Sequence, residues 1–137
     1  MNPITVKVLI ISTSRRTQEE LVDVLTACGA TPIQCLSIAD LRLKLKETEG
    51  CEVVFCEDTL PDGSYRDVLA SVKSLVPGVP VVVCSLLGEM PNYLEAMNLG
   101  AFDFIAPPYH PPEVEAIINA TIGAPRRDWK WSASTAA

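Results

Sequence analysis

The sequence predicts an α/β protein in which a five-stranded parallel sheet lies between two layers of helices. Three observations carry this prediction. Five short apolar runs, at residues 6–11, 31–36, 53–56, 79–85 and 102–106, alternate with segments of helical periodicity. Helical segments close on glycine, at Gly29, Gly50, Gly78 and Gly100, as C-terminal caps require. Helices of about 10 to 15 residues between strands are the mark of right-handed crossovers and a three-layer sandwich.

The first strand is Thr5-Val6-Lys7-Val8-Leu9-Ile10-Ile11, β-branched and short, ending in the hydroxyls Ser12-Thr13-Ser14. Thr17-Gln18-Glu19-Glu20 has the form of a capping box, and Leu21, Val22, Leu25 and Cys28 recur at helical spacing behind it. The second strand, Thr31 to Leu36, contains Pro32, which donates no backbone hydrogen bond and so belongs at a sheet edge. Ser37 and Asp40 head the second helix, with Ile38, Leu41 and Leu45 on its apolar face.

The third strand sets up the candidate site. Val53-Val54-Phe55-Cys56 is a fully apolar run that meets two carboxylates, Glu57 and Asp58, and then the turn sequence Leu60-Pro61-Asp62-Gly63. Open α/β sheets place their sites at such carboxyl ends of strands, so the pair is expected to face solvent, a metal or a partner.

Ser64 to Val76 forms the third helix, with Tyr65, Val68, Leu69, Val72, Leu75 and Val76 as its stripe, and Val79 to Ser85 the fourth strand. Gly88 to Gly100 spans the fourth helix, carrying Tyr93, Leu94, Met97 and Leu99, and Phe102 to Ala106 the fifth strand. Pro111-Pro112 opens the last helix, whose face is Val114, Ile117, Ile118 and Ile122.

The expected domain is residues 1–123, followed by a tail or linker over 124–137 that interleaves Arg126, Arg127 and Lys130 with Trp129 and Trp131. Such a tail could stack on bases or dock a partner, although composition of this kind more often marks a linker or a segment packed on its own domain. One domain accords with 137 residues, 48% of them hydrophobic. The net charge of −6 gives no broad electrostatic footprint for nucleic acid. Five cysteines without Cys-x-x-Cys spacing read as core residues of a protein in a reducing compartment. The apolar runs are too short for a membrane span or signal sequence, so a cytoplasmic location is expected. The single histidine, His110, lies in a proline-rich loop and reads as a surface residue.

The order of elements and three stretches, Cys56 to Gly63, Pro80 to Ser85 and Tyr93 to Phe104, resemble the receiver domains of bacterial two-component response regulators over residues 7–122. The resemblance implies a flavodoxin-like sheet in the order 2-1-3-4-5. It also implies a phosphorelay role in which an aspartate accepts a phosphoryl group with magnesium bound. The acceptor position, four residues before the loop proline, falls on Glu57, and the acidic pair that holds magnesium falls on Ser12 and Thr13. The switch positions fall on Ser85 and Phe104, and the phosphate-contacting lysine on Pro107, ahead of a cis-forming proline. The loop after Pro61 is shorter than the family's.

Hydroxyls are poor magnesium ligands, and without a lysine or a held cation the electrostatic stabilisation of phosphoryl transfer is lost. The expectation is a degenerate, pseudo-receiver module with no cofactor and no catalysis, working through a protein partner. Its expected face is the fourth helix, fifth strand and fifth helix, with Glu95, Asn98 and Glu115 exposed on it and a homodimer as one form of use. On this reading Glu57 either mimics the phosphorylated state, with Ser85 as its hydrogen-bond partner, or is a solvated strand-end carboxylate. Two alternatives stand beside it: a phospho-accepting regulator that uses Asp58 with Glu57 on the metal, and a small-ligand domain that holds flavin nucleotide at the same switch point.

Overall fold

The computed structural model describes residues 6–85 and 90–123. Strand β1 (Val6–Ile11) leads to α1 (Arg15–Ala27), β2 (Ala30–Cys35), α2 (Ile38–Glu47) and β3 (Cys51–Glu57). A short hairpin, β4 (Thr59–Leu60) and β5 (Gly63–Ser64), precedes α3 (Tyr65–Leu75). Then come β6 (Val81–Cys84), α4 (Met90–Asn98), β7 (Asp103–Ile105) and α5 (Pro111–Gly123). The tail with Trp129 and Trp131, and the opening residues of the fourth helical segment, lie outside the described residues.

The main sheet runs β2-β1-β3-β6-β7, all parallel, which is the expected 2-1-3-4-5 when only its own strands are counted. Pro32 lies in β2 at the sheet edge, where its missing donor costs least. Strand alternation divides the core. Leu9, Ile11, Val54, Cys56 and Val83 pack against the α2, α3 and α4 side with Leu41 and Val68. Val8, Ile10, Val53, Phe55 and Val82 pack against α1 and α5 with Leu21, Leu25 and Val114. Both faces are covered, which is why β1 and β3 are apolar at nearly every position rather than alternating. Cys35, Cys51, Cys56 and Cys84 are buried and Cys28 is half-buried, and all carry free thiols.

The helix starts hold the frame together. Ser14, not Thr17, is the N-cap of α1: its hydroxyl accepts from Thr17 N–H at 3.3 Å, while Thr17 is buried inside the first turn. The expected capping box at Thr17 is thereby corrected, because the upstream hydroxyl reaches the free amides first. Helix α2 starts as expected at Ser37, which accepts from Asp40 N–H at 3.1 Å. It has a second cap from a distance, since Asp62 accepts from Ile38 and Ala39 N–H at 2.9 and 3.1 Å. Those two bonds, that from Ile38 first, hold the Asp62 carboxyl below its ordinary range. Helix α3 opens on a full capping box between Ser64 and Asp67.

The segment after Asp58 is more ordered than a simple turn. Thr59 pairs with Ser64 and Leu60 with Gly63 in an antiparallel hairpin, whose buried Leu60 anchors it in the core. A Cβ on Gly63 would lie 2.3 Å from Asp67 Oδ2 and 2.7 Å from Ile38 Cδ1. Glycine is therefore required where the shortened loop brings α2 and α3 together.

Candidate functional site

The carboxyl ends of β1, β3 and β6 meet at one edge of the sheet, and the candidate residues gather there. Glu57 is the last residue of β3, paired in register with Cys84. It is not presented to solvent: only 4% of it is exposed. This overturns the solvated-carboxylate reading of Glu57, whereas Asp58 beside it keeps part of its surface exposed. A buried carboxylate needs donors, and the β1–α1 loop supplies them. Ser12 Oγ donates to Glu57 Oε2 at 2.5 Å, and Ser14 N–H approaches the same oxygen at 3.4 Å. Thr13 donates to Oε1 twice, from N–H at 3.3 Å and from Oγ1 at 3.2 Å.

The loop is itself braced. Ser12 Oγ accepts from Ser14 N–H at 3.2 Å, and the Gln18 side-chain amide donates to the Ser12 carbonyl. The amides of Thr13 and Ser14, just ahead of α1, thus point toward the carboxylate. Ser12 and Thr13, the positions of the family's metal-binding acids, act here as donors to Glu57.

Asp58 behaves differently from its neighbour. It is half-buried, and its Oδ2 accepts from Ser85 Oγ at 3.0 Å. Its N–H donates to the Cys84 carbonyl at 3.2 Å, and its carbonyl accepts from Tyr65 N–H at 3.2 Å. Ser85 is fully buried and follows β6 directly, with its N–H donating to Ile105 of β7 at 2.9 Å. The expected Ser85–Glu57 hydrogen bond is corrected: the hydroxyl reaches Asp58, because both Glu57 oxygens turn toward the β1–α1 loop.

The remaining candidates are spread around this edge. Phe104, in β7, is half-buried and meets Tyr93 of α4 edge to face, with ring centroids 5.6 Å apart. Pro107 is exposed, and the Pro107–Pro108 peptide bond is cis. His110 is exposed, as expected of a loop histidine. Asn98 and Glu115 are exposed, whereas Glu95 is not a free surface carboxylate. Tyr65 Oη donates to Glu95 Oε1 at 2.6 Å, and the Arg66 guanidinium pairs with the same oxygen. Those partners, Arg66 first, hold the Glu95 carboxyl below its ordinary range. Burial, then the bond to Glu95, pushes the Tyr65 hydroxyl up to about 12.

Ser14, Gln18, Tyr65 and Arg66 were missed as site residues. Their signal in the sequence is weak, because each acts through a contact set by the fold. Tyr109 adds a buried hydroxyl in the α1 and α5 layer that makes no hydrogen bond among the described residues.

The donor set does not fit magnesium. A divalent cation of that size wants oxygen acceptors in an octahedral shell. Here each Glu57 oxygen already receives two donors, Ser12 and Thr13 point hydrogens inward, and one Asp58 oxygen is engaged by Ser85. The arrangement suits a static hydrogen-bonded carboxylate.

No family model matches the chain. Relatives are found by sequence. Chemotaxis protein CheY of Thermotoga maritima is 26% identical over 114 residues, covering 82% of this chain and 94% of that protein. Response regulator protein TodT of Pseudomonas putida is 24% identical over 115 residues, covering 84% of this chain and 50% of that protein, so the chain spans about half the length of TodT. Among solved structures, a response regulator receiver domain protein from Clostridium thermocellum superposes with a TM-score of 0.77 at 24% identity, over 85% of this chain and 94% of that one. By sequence the chain is similar to response regulators, and its fold is that of their receiver domains.

Proposed function

We propose that this chain is a receiver-like signal-transduction module that acts by binding a protein partner, without phosphorylation and without catalysis of its own. One observation carries the reading: the carboxylate at the acceptor position is buried and has four hydrogen-bond approaches from Ser12, Thr13 and Ser14. An acceptor must offer a free oxygen to an incoming phosphorus, and neither Glu57 oxygen is free. The absence of lysine at position 107 removes a second requirement, a cation to neutralise the transferred group.

The partner face is formed by α4, β7 and α5. Leu94, Leu99 and Ile122 are exposed apolar residues on or beside these elements, with Tyr93 at the margin of exposure. Exposed apolar side chains of this kind are available to a partner, although Leu36 and Leu43 are exposed elsewhere on the molecule. A second copy of the chain is one form such a partner takes. Among the described residues no helix is long and apolar enough to cross a membrane, and a cytoplasmic role suits a module of this kind.

The test is incubation of the full chain with acetyl phosphate and magnesium, followed by intact-mass measurement. No added phosphoryl group is expected. An acid-labile stoichiometric adduct that disappears in Asp58→Asn would overturn the proposal and install Asp58 as the acceptor.

A further inference from the structure

We infer that the segment after α5 docks on its own domain at the edge where the strands begin, its cations on the carboxyl ends of α1 and α5 and its tryptophans over Ile122. The segment reads Ala124-Pro125-Arg126-Arg127-Asp128-Trp129-Lys130-Trp131. This edge is opposite the one that holds Glu57 and Asp58, so the contact goes beyond the reading above.

Charge favours the contact. Between Ser74 and Pro125 the chain carries Glu89, Glu95, Asp103, Glu113 and Glu115 and not one Lys or Arg. Immediately afterwards Arg126, Arg127 and Lys130 stand against Asp128 alone. A stretch of one sign followed at once by a cluster of the other brings complementary surfaces together.

The helix ends favour it too. A helix that follows a strand of a parallel sheet runs back along the sheet, so each helix ends where the strands start. Helices α2 and α3 meet the partial negative charge of that end with Lys44, Lys46 and Lys73 in their last turns. Helices α1, α4 and α5 have no basic residue there. Of these, α1 and α5 pack side by side on one face of the sheet. Arg15 and Arg16 stand at the far end of α1, and the Lys7 ammonium donates to the Glu49 carbonyl at 3.0 Å. A carboxylate lies close by instead: burial, and then Glu115 of α5, hold the Cys28 thiol at the end of α1 above its ordinary value.

Reach and apolar surface complete the fit. Helix α5 ends at Gly123, and Ile122 in its last turn is 49% exposed. Trp129 follows Gly123 by six residues and so stays within about 20 Å of it. Packed helices lie about 8–10 Å apart, so the end of α1 falls inside that reach. A tether this short keeps the segment at about millimolar effective concentration, where individually weak contacts suffice. Tryptophan supplies a large apolar face to cover Ile122.

Trp129 and Trp131 are the only tryptophans of the chain, so tryptophan emission reports this segment and nothing else. In the full chain the emission is expected to be blue-shifted, and quenching by acrylamide weaker, than in a peptide of residues 124–137, and neither is expected to vary with protein concentration. Arg126→Glu combined with Arg127→Glu is expected to weaken docking about tenfold and move both readouts to the peptide's values. Salt at about 1 M is expected to move them the same way. Ile122→Lys, which removes the apolar contact and adds a like charge, is expected to match the double reversal, while Leu94→Lys on α4 leaves both readouts unchanged. Both residues are exposed, so the fold is expected to survive, with the melting temperature as the check.

Full-chain emission and quenching equal to the peptide's would overturn the inference. So would protection that survives both charge reversal and salt, or protection lost in Leu94→Lys but kept in Ile122→Lys. Protection that falls on dilution would make a second copy the occupant and overturn it as well.

Discussion

The two sides of the sheet hold their helices by different means. Toward β2, helices α1, α2 and α3 start on side-chain caps from Ser14, Ser37 with Asp62, and Ser64 with Asp67. Toward β7, α4 is fixed through its middle, by the Tyr65–Arg66–Glu95 cluster on one side and the Tyr93–Phe104 contact on the other. The Ser14 and Ser37 caps are local bonds within one turn, and Asp62 adds a cap to α2 from 24 residues away. The Arg66–Glu95 pair is close to half-exposed on both partners, where water and salt compete with it. The first side is a frame. The second is held in part by an ion pair that solvent reaches.

The comparison is sharpened most by paired truncations. Leu41→Ala, at a fully buried position of α2, is expected to cost about 2–5 kcal/mol in urea unfolding, while Leu94→Ala, at an exposed position of α4, stays within about 0.5 kcal/mol. A large loss at Leu94 would break the distinction. Next in size, Gly63→Ala forces a Cβ against Asp67 and Ile38 and is expected to lower stability by about 1–3 kcal/mol. Ser12→Ala leaves a buried Glu57 oxygen short of its nearest donor and is expected to cost about 1–3 kcal/mol, checked by the same unfolding curve.

A smaller effect separates the caps by pH. The folded-state value of Asp62 lies below its ordinary 3.8, so its contribution is present above that value and lost as pH falls through the folded one. The melting temperature of the wild type is therefore expected to fall more steeply below about pH 4 than that of Asp62→Asn. The smallest effect belongs to the exposed pair: Glu95→Gln is expected to leave melting nearly unchanged and to abolish the salt dependence of α4 exchange.

What could be read from the residues alone follows the range of the forces involved. The strands were legible because β1 and β3 are buried on both faces and so are apolar at most positions. The edge place of β2 was legible from Pro32, a local covalent fact. The cap of α1 was not, because Ser12, Thr13, Ser14 and Thr17 are all competent and only the path of the chain decides among them. The fate of Glu57 was hidden for a stronger reason: its donors lie 43 to 45 residues away, and no local pattern distinguishes a carboxylate that will be met from one left in water. The same holds for Ser85, whose partner is one residue from the expected one. The replacements at positions 12, 13 and 57 looked like separate losses in the sequence. In the structure they form one mutually satisfied group.

The edges of the sheet bear on how copies of this protein could go wrong as well as on how they associate. An open edge invites another chain to add a strand, the route to fibrils and insoluble aggregates. Here one edge, β2, contains a residue with no N–H to offer, and the other, β7, is only three residues long. Neither is a good template for growth. Strand addition is disfavoured at both edges, which leaves the side chains of the helices as the surface open to contact.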